Sequence, residues 1–388
     1  MLRLQNPIRG YAWGSRSVIA GLQGRAVPSP GPEAELWVGA HPAAPSMVED
    51  TGKPLTDVIA AAPTELLSAA VVDRFGPRLP YLLKLLAAAA PLSLQAHPDA
   101  ARAAAGYAAE QAAGVPLDAP HRRYVDPYHK PELLVAVSEF RALCGFRAPT
   151  VAAEALAGLD LPALAPVVAR LRAGDLAGAV GWLLGGEGSV DVAEVVAAAS
   201  RSGYRLVGEL ASAYPGDLGV LVALLLHEVT LAPGEAIFIP PGNLHAYLSG
   251  TGVEVMAASD NVLRGGLTGK HVDVPELLRV LRFAPLPDPV LRPVPVAPGV
   301  VTWPVPVPDL ALHRIRLDPA VPLAELALPG PRTVLCLAGR VVVDDGAAPV
   351  RLGPAQAGFG PAGAAGRLQF TGAGEAYAAT VATGFFLK

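Results

Sequence analysis

The chain of 388 residues is long enough for two or three domains, each burying its own core. Its composition, 52% hydrophobic and 16% charged, excludes a disordered protein and is typical of a globular one. A net charge of −4, without any lysine-rich or arginine-rich run, gives no support to a nucleic-acid partner, so an anionic ligand would need a local cluster of cations.

Cysteine usage and hydropathy indicate the setting of the protein. Cys144 and Cys336 are far apart and form no CxxC motif, so we expect no disulfide framework and a reducing, cytoplasmic location. The first residues lack the apolar core of a signal peptide. Lys84 and Pro91 interrupt the longest apolar stretch, so the sequence predicts no membrane-spanning segment.

Short elements are predicted in the first hundred residues. Residues 35–39 and 91–97 have the apolar composition and flanking turn residues of strands. Residues 56–70 have the spacing of a helix, which Pro63 is expected to split into two pieces.

Two longer stretches are predicted to be helical. Residues 99–115 and 150–226 are rich in Ala, Leu and Glu, with apolar residues three and four apart. Thr150 is the expected N-cap of one helix. Asp191 and Glu194 have the spacing of a capping box for another.

Strands return in the second half of the chain. The strand pattern runs from residue 228 to 256, and residues 275–283 predict a helix that begins with a proline. Residues 284–308 contain nine prolines and are expected to form a linker. Residues 309–388 alternate apolar segments with Gly/Pro turns, which indicates strands without helices.

The order of these elements predicts a mainly β fold with an inserted α domain. The first β domain is expected to consist of residues 1–98 plus 227–283. A mostly helical insertion of residues 99–226 interrupts it, and residues 126–146 of this insertion return to the candidate site. A linker of residues 284–308 and a C-terminal β domain of residues 309–388 follow.

The first candidate site residues are Gln95 and His97. Residues i and i+2 of a strand face the same side, so the amide oxygen and the imidazole nitrogen would project together as two ligands of one metal ion. His245 closes a run rich in Gly and Pro and can supply a third ligand from a neighbouring strand. For His245 alone, packing in a core is the alternative.

The segment that ends at Glu132 is the second candidate. Pro131 forces an extended backbone at Lys130, so the charged side chains cannot simply line a solvated helix. The functional interpretation makes Glu132 a carboxylate ligand, with His129 and Lys130 beside the ion. The alternative is an exposed loop.

Three charges follow His245 closely: Glu254, Arg264 and Lys270. Gly265 and its neighbour leave backbone room beside Arg264 for a ligand. Each charge alone could belong to a polar surface loop. Their clustering after a candidate metal ligand favours a binding site.

Five motifs occur in order along nearly the whole chain: Tyr11-Ala-Trp13-Gly, Glu35-Leu-Trp-Val-Gly-Ala-His41-Pro, Gln95-Ala-His97-Pro, His129-Lys-Pro-Glu132 and Ser259-Asp-Asn-Val-Leu-Arg264. Together they resemble the motifs of type I mannose-6-phosphate isomerases (phosphomannose isomerases). The run from Gly234 to His245 also resembles the second motif of cupins, with Ser249 where cupins have asparagine.

The resemblance implies a cupin-like β-barrel catalytic core, a helical insertion and a C-terminal cupin-like domain without metal ligands. It implies one zinc ion, bound by Gln95, His97, Glu132 and His245. Iron or manganese would also accept this donor set. It further implies a cytoplasmic isomerase that acts on a phosphorylated hexose, without nucleic-acid or membrane partners, as a monomer or a dimer.

The reaction that the resemblance implies, between mannose 6-phosphate and fructose 6-phosphate, moves a proton between C1 and C2 through an enediol or enediolate. This requires a base, stabilisation of oxyanion charge and a grip on the phosphate. Arg264 is the expected electrostatic stabiliser, Lys270 the candidate phosphate contact, and Trp13 a candidate wall of the pocket. The candidates for the base are Glu254, His129 and Lys130.

Two departures from the family pattern keep alternatives open. Ala100 stands where the family commonly has lysine, and Gly269 precedes Lys270 where the family often has proline. Loss of the first cation favours the main alternative, a non-catalytic metal-bearing sugar-phosphate-binding cupin protein. A cupin oxygenase with iron is a further alternative, but the cations Arg264 and Lys270 favour a phosphorylated substrate. No nucleotidyltransferase domain that would indicate a bifunctional isomerase–guanylyltransferase is visible in the sequence.

Overall fold

The computed structural model describes residues 1–185, 190–362 and 366–382. Within this part of the chain, most strands belong to two large antiparallel sheets, and a helical region occupies residues 149–223. The prediction of a mainly β fold with a helical region is therefore confirmed.

Short strands and helices alternate up to residue 148. The strands are β1 (Leu2–Gln5), β2 (Ile8–Arg9), β3 (Glu35–Val38), β4 (Met47–Val48), β5 (Lys53–Pro54), β6 (Tyr81–Ala88), β7 (Leu94–Ala96), β8 (Glu132–Ala136) and β9 (Phe140–Phe146). The helices are α1 (Val18–Leu22), α2 (Leu55–Ala61), α3 (Pro63–Leu67), α4 (Ala69–Phe75) and α5 (Ala100–Ala112). Pro63 opens α3, so the predicted break in this helical stretch is confirmed.

The helical region follows β9. Its helices are α6 (Pro149–Ala157), α7 (Ala165–Arg172), α8 (Leu176–Gly185), α9 (Val192–Arg201), α10 (Arg205–Ala213) and α11 (Gly219–Ala223), with a 3₁₀ turn at Pro162–Leu164. Asp191 caps α9 by accepting the N–H of Ala193 at 2.8 Å. The predicted N-cap at Thr150 is wrong. Ala148 is the N-cap of α6, because Pro149 suits the first helical position, where no N–H is needed.

Strands dominate the rest of the chain. They are β10 (Leu226–Leu231), β11 (Ala236–Ile239), β12 (His245–Ala257), β13 (Leu263–Gly266), β14 (Val290–Leu291), β15 (Val294–Ala297), β16 (Val300–Thr302), β17 (Ala311–Leu317), β18 (Leu323–Ala327), β19 (Arg332–Asp344), β20 (Val350–Leu352), β21 (Ala357–Gly360) and β22 (Arg367–Thr380). The predicted helix beginning with proline is α12 (Val274–Val280). The proline-rich stretch is not a structureless linker, since it contains β14 to β16, short strands of the kind that tolerate proline.

The first sheet, called the site sheet below, has the order β14-β11-β8-β12-β6-β3-β2. The first half of β12 also pairs with β7 and β9, and these pair in turn with β13 and β10. The long strand β12 therefore joins every part of the sequence that carries a predicted metal ligand.

The second sheet, called the C-terminal sheet below, has the order β15-β16-β17-β22-β19-β21-β1-β4-β5, with β18 on β22 and β20 on β19. The N-terminal strands β1, β4 and β5 thus pair here, although the sequence placed residues 1–98 in the first domain. Pairing between residues this far apart leaves no local signal. Both strand orders are open over the described residues, so the expected closed barrels are not seen.

Two apolar clusters hold these layers together. One packs the helices onto the site sheet and includes Leu94, Leu143 and Leu244 beside helical residues. The other joins the two sheets and includes Leu83 and Val253 from one, and Leu335 and Phe359 from the other. The site sheet is therefore packed against the helices and against the C-terminal sheet. None of the described helices is long and apolar enough to cross a membrane.

Candidate metal centre

A cavity of about 460 Å³ opens beside β12, within the size range of small-molecule sites. Most of the predicted site residues line it: Trp13, Gln95, Lys130, Glu132, His245, Glu254, Arg264 and Lys270. His97 is fully buried and, like His129, is not among the described lining residues. Side chains predicted from four separate segments therefore meet at one place.

His97, Glu132 and His245 form a compact buried cluster whose ligand atoms all lie within 4.8 Å of one another. The Nε2 atom of His97 is 3.4 Å from one oxygen of Glu132, and the Nε2 atom of His245 is 3.4 Å from the other. Strand register produces this arrangement. Glu132 opens β8, His245 opens β12, and His97 follows β7, which lies beside His245.

The outer nitrogen of each imidazole is fixed by a backbone carbonyl. His97 Nδ1 is 2.8 Å from the carbonyl of Asn261, and His245 Nδ1 is 3.1 Å from the carbonyl of Asn243. Each Nδ1 can only donate to a carbonyl oxygen, so in the neutral form of each imidazole the lone pair belongs to Nε2 and is directed at the cluster. His97 Nε2 is buried without a hydrogen-bond partner among the described residues. A metal ion would satisfy it.

The protonation states also suit a metal. Burial lowers the pKa of His97 to about 4, against the opposing effect of Glu132, so the imidazole is neutral at pH 7. Burial alone would raise the pKa of Glu132, but Lys130 and His97 outweigh it and hold that pKa well below its usual value. The Lys130 ammonium lies 3.0 Å from Glu132. Neutral imidazoles and a carboxylate are the forms that bind zinc.

Gln95 lies between two other predicted site residues. On β7 it is paired with His245 of β12 on one side and with Arg264 of β13 on the other. Its amide nitrogen donates to the hydroxyl of Ser93 at 3.0 Å. The amide oxygen is then the atom that remains to bind a metal, and its role as the fourth ligand stays a prediction.

A buried ion-pair network, which the sequence reasoning missed, surrounds Glu254. Lys84 Nζ lies 3.1 Å from Glu254 and 3.4 Å from Glu35, and the hydroxyl of Tyr247 donates to Glu254 at 2.7 Å. Burial raises the pKa of Glu254 against the opposing effect of Lys84. Burial disfavours the charged form of Lys84, but the surrounding carboxylates outweigh burial and raise its pKa. The sequence feature that could have indicated this network is the single lysine in the otherwise apolar strand β6.

His129 contacts the C-terminal sheet. Its Nε2 atom lies 2.9 Å from a carboxylate oxygen of Asp309, a residue between β16 and β17 of that sheet. Lys130 lines the cavity, whereas His129 is absent from its described wall. The expected place of His129 beside the ion stays a prediction.

Asn261 and Asp126, which the sequence did not indicate as site residues, connect the loop before β8 with the loop after β12. The Asn261 amide accepts from the backbone N–H of Val125 at 2.9 Å and donates to the carbonyls of Asp126 and Tyr128 at 2.7 and 2.9 Å. Asp126 in turn accepts from the hydroxyl of Ser259 at 2.8 Å. The loop that carries Lys130 and Glu132 is thus fixed to the residue whose carbonyl orients His97.

The remaining predicted residues form the outer cavity. Arg264 lies on β13 and is half-buried, and burial lowers its pKa, although an arginine stays charged at neutral pH. Lys270 is exposed at the cavity edge. Neither forms an ion pair with the residues that the structure describes. Trp13 also lines the cavity and stacks on Tyr11, with 5.7 Å between ring centroids.

A buried His–Glu–His cluster below a cavity with two uncompensated cations defines a metal-binding protein for a small anionic ligand. Comparison with known proteins identifies the class. Residues 1–149 match the family model of the phosphomannose isomerase type I catalytic domain. The mannose-6-phosphate isomerase of Escherichia coli K12 is 39% identical, over 92% of this chain and 94% of its own length. That of Homo sapiens is 32% identical, over 86% of each.

Solved structures agree over the whole fold. A zinc-bound mannose 6-phosphate isomerase superposes with a TM-score of 0.89 at 34% identity, covering 98% of this chain and 99% of its own. A Salmonella typhimurium mannose 6-phosphate isomerase, bound to fructose 6-phosphate and zinc, gives the same values. The chain belongs to the type I mannose-6-phosphate isomerase family, as its motifs indicated.

Proposed function

We propose that the protein is a zinc-dependent isomerase that interconverts mannose 6-phosphate and fructose 6-phosphate. The observation that carries the proposal is the buried cluster of His97, Glu132 and His245 at the base of a cavity that also presents Arg264 and Lys270. Relatives at 39% identity over most of the chain have this activity.

Zinc would be held by the two Nε2 atoms and the Glu132 carboxylate, with the Gln95 amide oxygen as fourth ligand. Two imidazoles with oxygen donors form a set that zinc accepts. When bound, the ion polarises the sugar oxygens and so lowers the energy of the developing negative charge. Lys130 pairs with Glu132 and compensates part of its charge.

The proton transfer between C1 and C2 is assigned to a residue of the cavity wall. With His129 turned to Asp309, Glu254 and Lys130 remain as candidates. Glu254 is better placed, because Tyr247 and Lys84 each hold one of its oxygens and burial raises its pKa toward the operating pH. A lysine accepts a proton only as the free amine, whereas Lys130 lies against a carboxylate.

The two uncompensated cations are assigned to substrate charge. Arg264 lies beside Gln95 and would stabilise the enediolate oxygens electrostatically. Lys270, farther out, would contact the phosphate, which orients the substrate without reacting. The lysine is present although Gly269 precedes it where the family often has proline.

The proposal also covers the type of β core, the cellular setting and the oligomeric state. The antiparallel site sheet and the Gly234–His245 hairpin support a cupin-like core, and the C-terminal sheet supports a second, metal-free cupin-like unit. Cys144 and Cys336 are buried and unbridged, which supports a reducing, cytoplasmic setting. A monomeric or dimeric state stays a prediction.

The experiment is a coupled assay of fructose 6-phosphate conversion, with zinc content measured in each protein. We expect chelation to abolish turnover in the wild type and added zinc to restore it. His97→Ala should lose both zinc and rate. Arg264→Ala should keep zinc and lose roughly 10²–10³-fold in rate, the usual cost of one electrostatic stabiliser. Arg292→Ala, at an exposed arginine, is the matched control.

Two outcomes would contradict the assignment. An unchanged rate in Arg264→Ala would remove this residue from the chemistry. Binding of fructose 6-phosphate without any turnover, by wild-type protein with one zinc per chain, would favour the alternative of a non-catalytic sugar-phosphate-binding protein.

A further inference from the structure

The loop of residues 267–270, called the Lys270 loop, is held by the helical region rather than by the site sheet alone. We propose that Asp217 is a positioning residue that clamps this loop to α11 and thereby sets the affinity for the phosphate of the substrate. The inference rests on the proposed function, because it assumes that Lys270 contacts that phosphate.

Asp217 uses both carboxylate oxygens on backbone donors from two different parts of the chain. Oδ1 accepts the N–H of Gly219, the first residue of α11, at 2.7 Å. Oδ2 accepts the N–H of Thr268, in the Lys270 loop, at 3.0 Å. Hydrogen bonds to an ionised acceptor are roughly twice as strong as neutral ones, so the carboxylate joins the two segments firmly.

Close backbone contact supports the same junction independently. A Cβ atom on Gly266 would lie 2.5 Å from the Cα atom of Gly219, so only glycine allows this approach. Gly266 has φ +121°, and Leu267 has φ +52° although it is not a glycine. Leu267 is fully buried in the apolar cluster of the helices. The start of the Lys270 loop is therefore anchored in the helical region.

The second half of the same loop reaches the cavity. Thr268 and Lys270 line it, and the Thr268 hydroxyl accepts the N–H of Lys270 at 3.1 Å. The N–H that Asp217 binds and the lysine that faces the ligand are thus two residues apart. Tyr214, from the end of α10, also lines the cavity, and its hydroxyl donates to the carbonyl of Pro91 at 2.7 Å. The helical region contributes to the cavity at both points.

The charge of Asp217 makes the inference sharply testable. If the carboxylate affected the substrate only through its charge, removing that charge would strengthen phosphate binding. If it acts by positioning, the same change weakens phosphate binding, because an amide offers one acceptor oxygen instead of two. Asp217→Asn therefore separates the two roles by the sign of its effect.

We expect Asp217→Asn in the zinc-loaded enzyme to raise KM for mannose 6-phosphate roughly tenfold, equivalent to about 1.4 kcal/mol. The inhibition constant of inorganic phosphate should rise by a similar factor, while kcat stays within about threefold and zinc content is unchanged. Asp175→Asn is the matched control. Asp175 accepts the N–H of Gly178 at 2.8 Å in the same helical region but is absent from the described cavity wall.

A double-mutant cycle with Lys270→Ala completes the test. If Asp217 acts through the Lys270 loop, Asp217→Asn should add little to the KM of the Lys270→Ala protein. Additive effects, or an unchanged or lowered KM in Asp217→Asn, would overturn the inference. If Asp217→Asn fails to fold, Asp217→Glu, which keeps the charge and both acceptor oxygens but moves them outward by one methylene, displaces the same two contacts and is interpreted by the same criteria. Absence of turnover in the zinc-loaded wild type would instead contradict the proposed function.

Discussion

The two sheets of this protein share a plan but differ in what their long strands carry. β12 of the site sheet and β19 of the C-terminal sheet each span 13 residues and pair with several neighbours. β12 bears His245, Tyr247 and Glu254, which are buried and engaged in polar contacts. β19 buries Arg332 and Thr333 at its start, but farther along it packs Val334, Cys336, Val341 and Val343 in the core of the C-terminal sheet.

The difference shows how a sheet of this kind acquires chemistry. Pairing keeps the backbone satisfied in both sheets, so a few inward-facing polar side chains on one of them are enough to create a site. These side chains are costly to bury, and each is offset by a polar partner: Glu132 for His245, Lys84 for Glu254, and Glu254 itself for Tyr247. The C-terminal sheet also buries charged side chains, among them Arg332 and Asp345, but they do not line the described cavity, and this sheet supports the site sheet through the shared apolar cluster.

The largest effect is expected from removing a charged ligand of the site sheet. Glu132→Gln should lose zinc and reduce turnover by roughly 10³-fold or more, since the several kcal/mol of metal stabilisation are lost. Zinc content and the coupled assay measure both. The matched change in the other sheet, His313→Leu, removes a buried imidazole from β17 and should leave one zinc per chain. Zinc loss in His313→Leu would mean that a buried side chain of the C-terminal sheet also determines metal binding, which contradicts the difference drawn between the sheets.

A large loss of stability is expected when the lysine of the buried network is made apolar. Lys84→Met leaves Glu35 and Glu254 buried without their cation, so the free energy of unfolding should fall by about 3–5 kcal/mol. Leu335→Met in β19 changes a fully buried apolar residue at similar volume and should cost less than about 1.5 kcal/mol. Denaturant unfolding of the two variants measures this. Equal losses would mean that burial of charge does not distinguish the sheets.

Local patterns predicted much of the fold and of the site. The break at Pro63, the cap at Asp191 and the helix beginning near Pro275 follow from backbone chemistry within a few residues. The triad His97, Glu132 and His245 was predictable because donor types and spacing favour a metal and the motifs resemble a family.

What the sequence did not predict depends on distant pairing. Lys84 lies beside Glu254 because β6 and β12 pair in that register, 170 residues apart in the chain. His129 contacts Asp309, a residue 180 positions later in the chain that lies beside the C-terminal sheet. The short strand β14 likewise pairs with β11, more than fifty residues earlier in the chain, whereas β15 and β16 form a local hairpin. The composition of a short segment does not indicate which distant residues or strands will contact it.

A pH dependence is expected from the buried histidine of the C-terminal sheet. Burial lowers the pKa of His313 to about 4. As pH falls below about 6.5, His313 becomes protonated in the unfolded chain but stays neutral in the folded protein until about pH 4. The free energy of unfolding therefore falls through this pH window. The difference corresponds to roughly 3 kcal/mol. Denaturant unfolding of the zinc-loaded protein from pH 7.5 to 4.5 measures it.

His313→Leu should lose this part of the pH dependence, whereas a change at the exposed His121 should not. His97 also contributes to the acid response, since protonation of a metal ligand competes with zinc, and the difference between wild type and His313→Leu cancels that contribution. A wild-type slope retained in His313→Leu would contradict the assignment to the C-terminal sheet.

The smallest effect is expected where the two sheets meet at the active-site loop. Asp309 holds His129, next to Lys130, so Asp309→Asn should loosen the loop and lower kcat about three- to tenfold, while the Asn261 hydrogen bonds keep the loop in place. His129→Ala should cost about the same, and the double variant little more, because both remove one contact. Asp318→Asn, at an exposed turn of the C-terminal sheet, is the control and should have no effect. A loss of kcat in His129→Ala that far exceeds the loss in Asp309→Asn would instead make His129 a participant in the proton transfer. Asp309, beside the C-terminal sheet, would then orient a catalytic residue rather than only stabilise the loop.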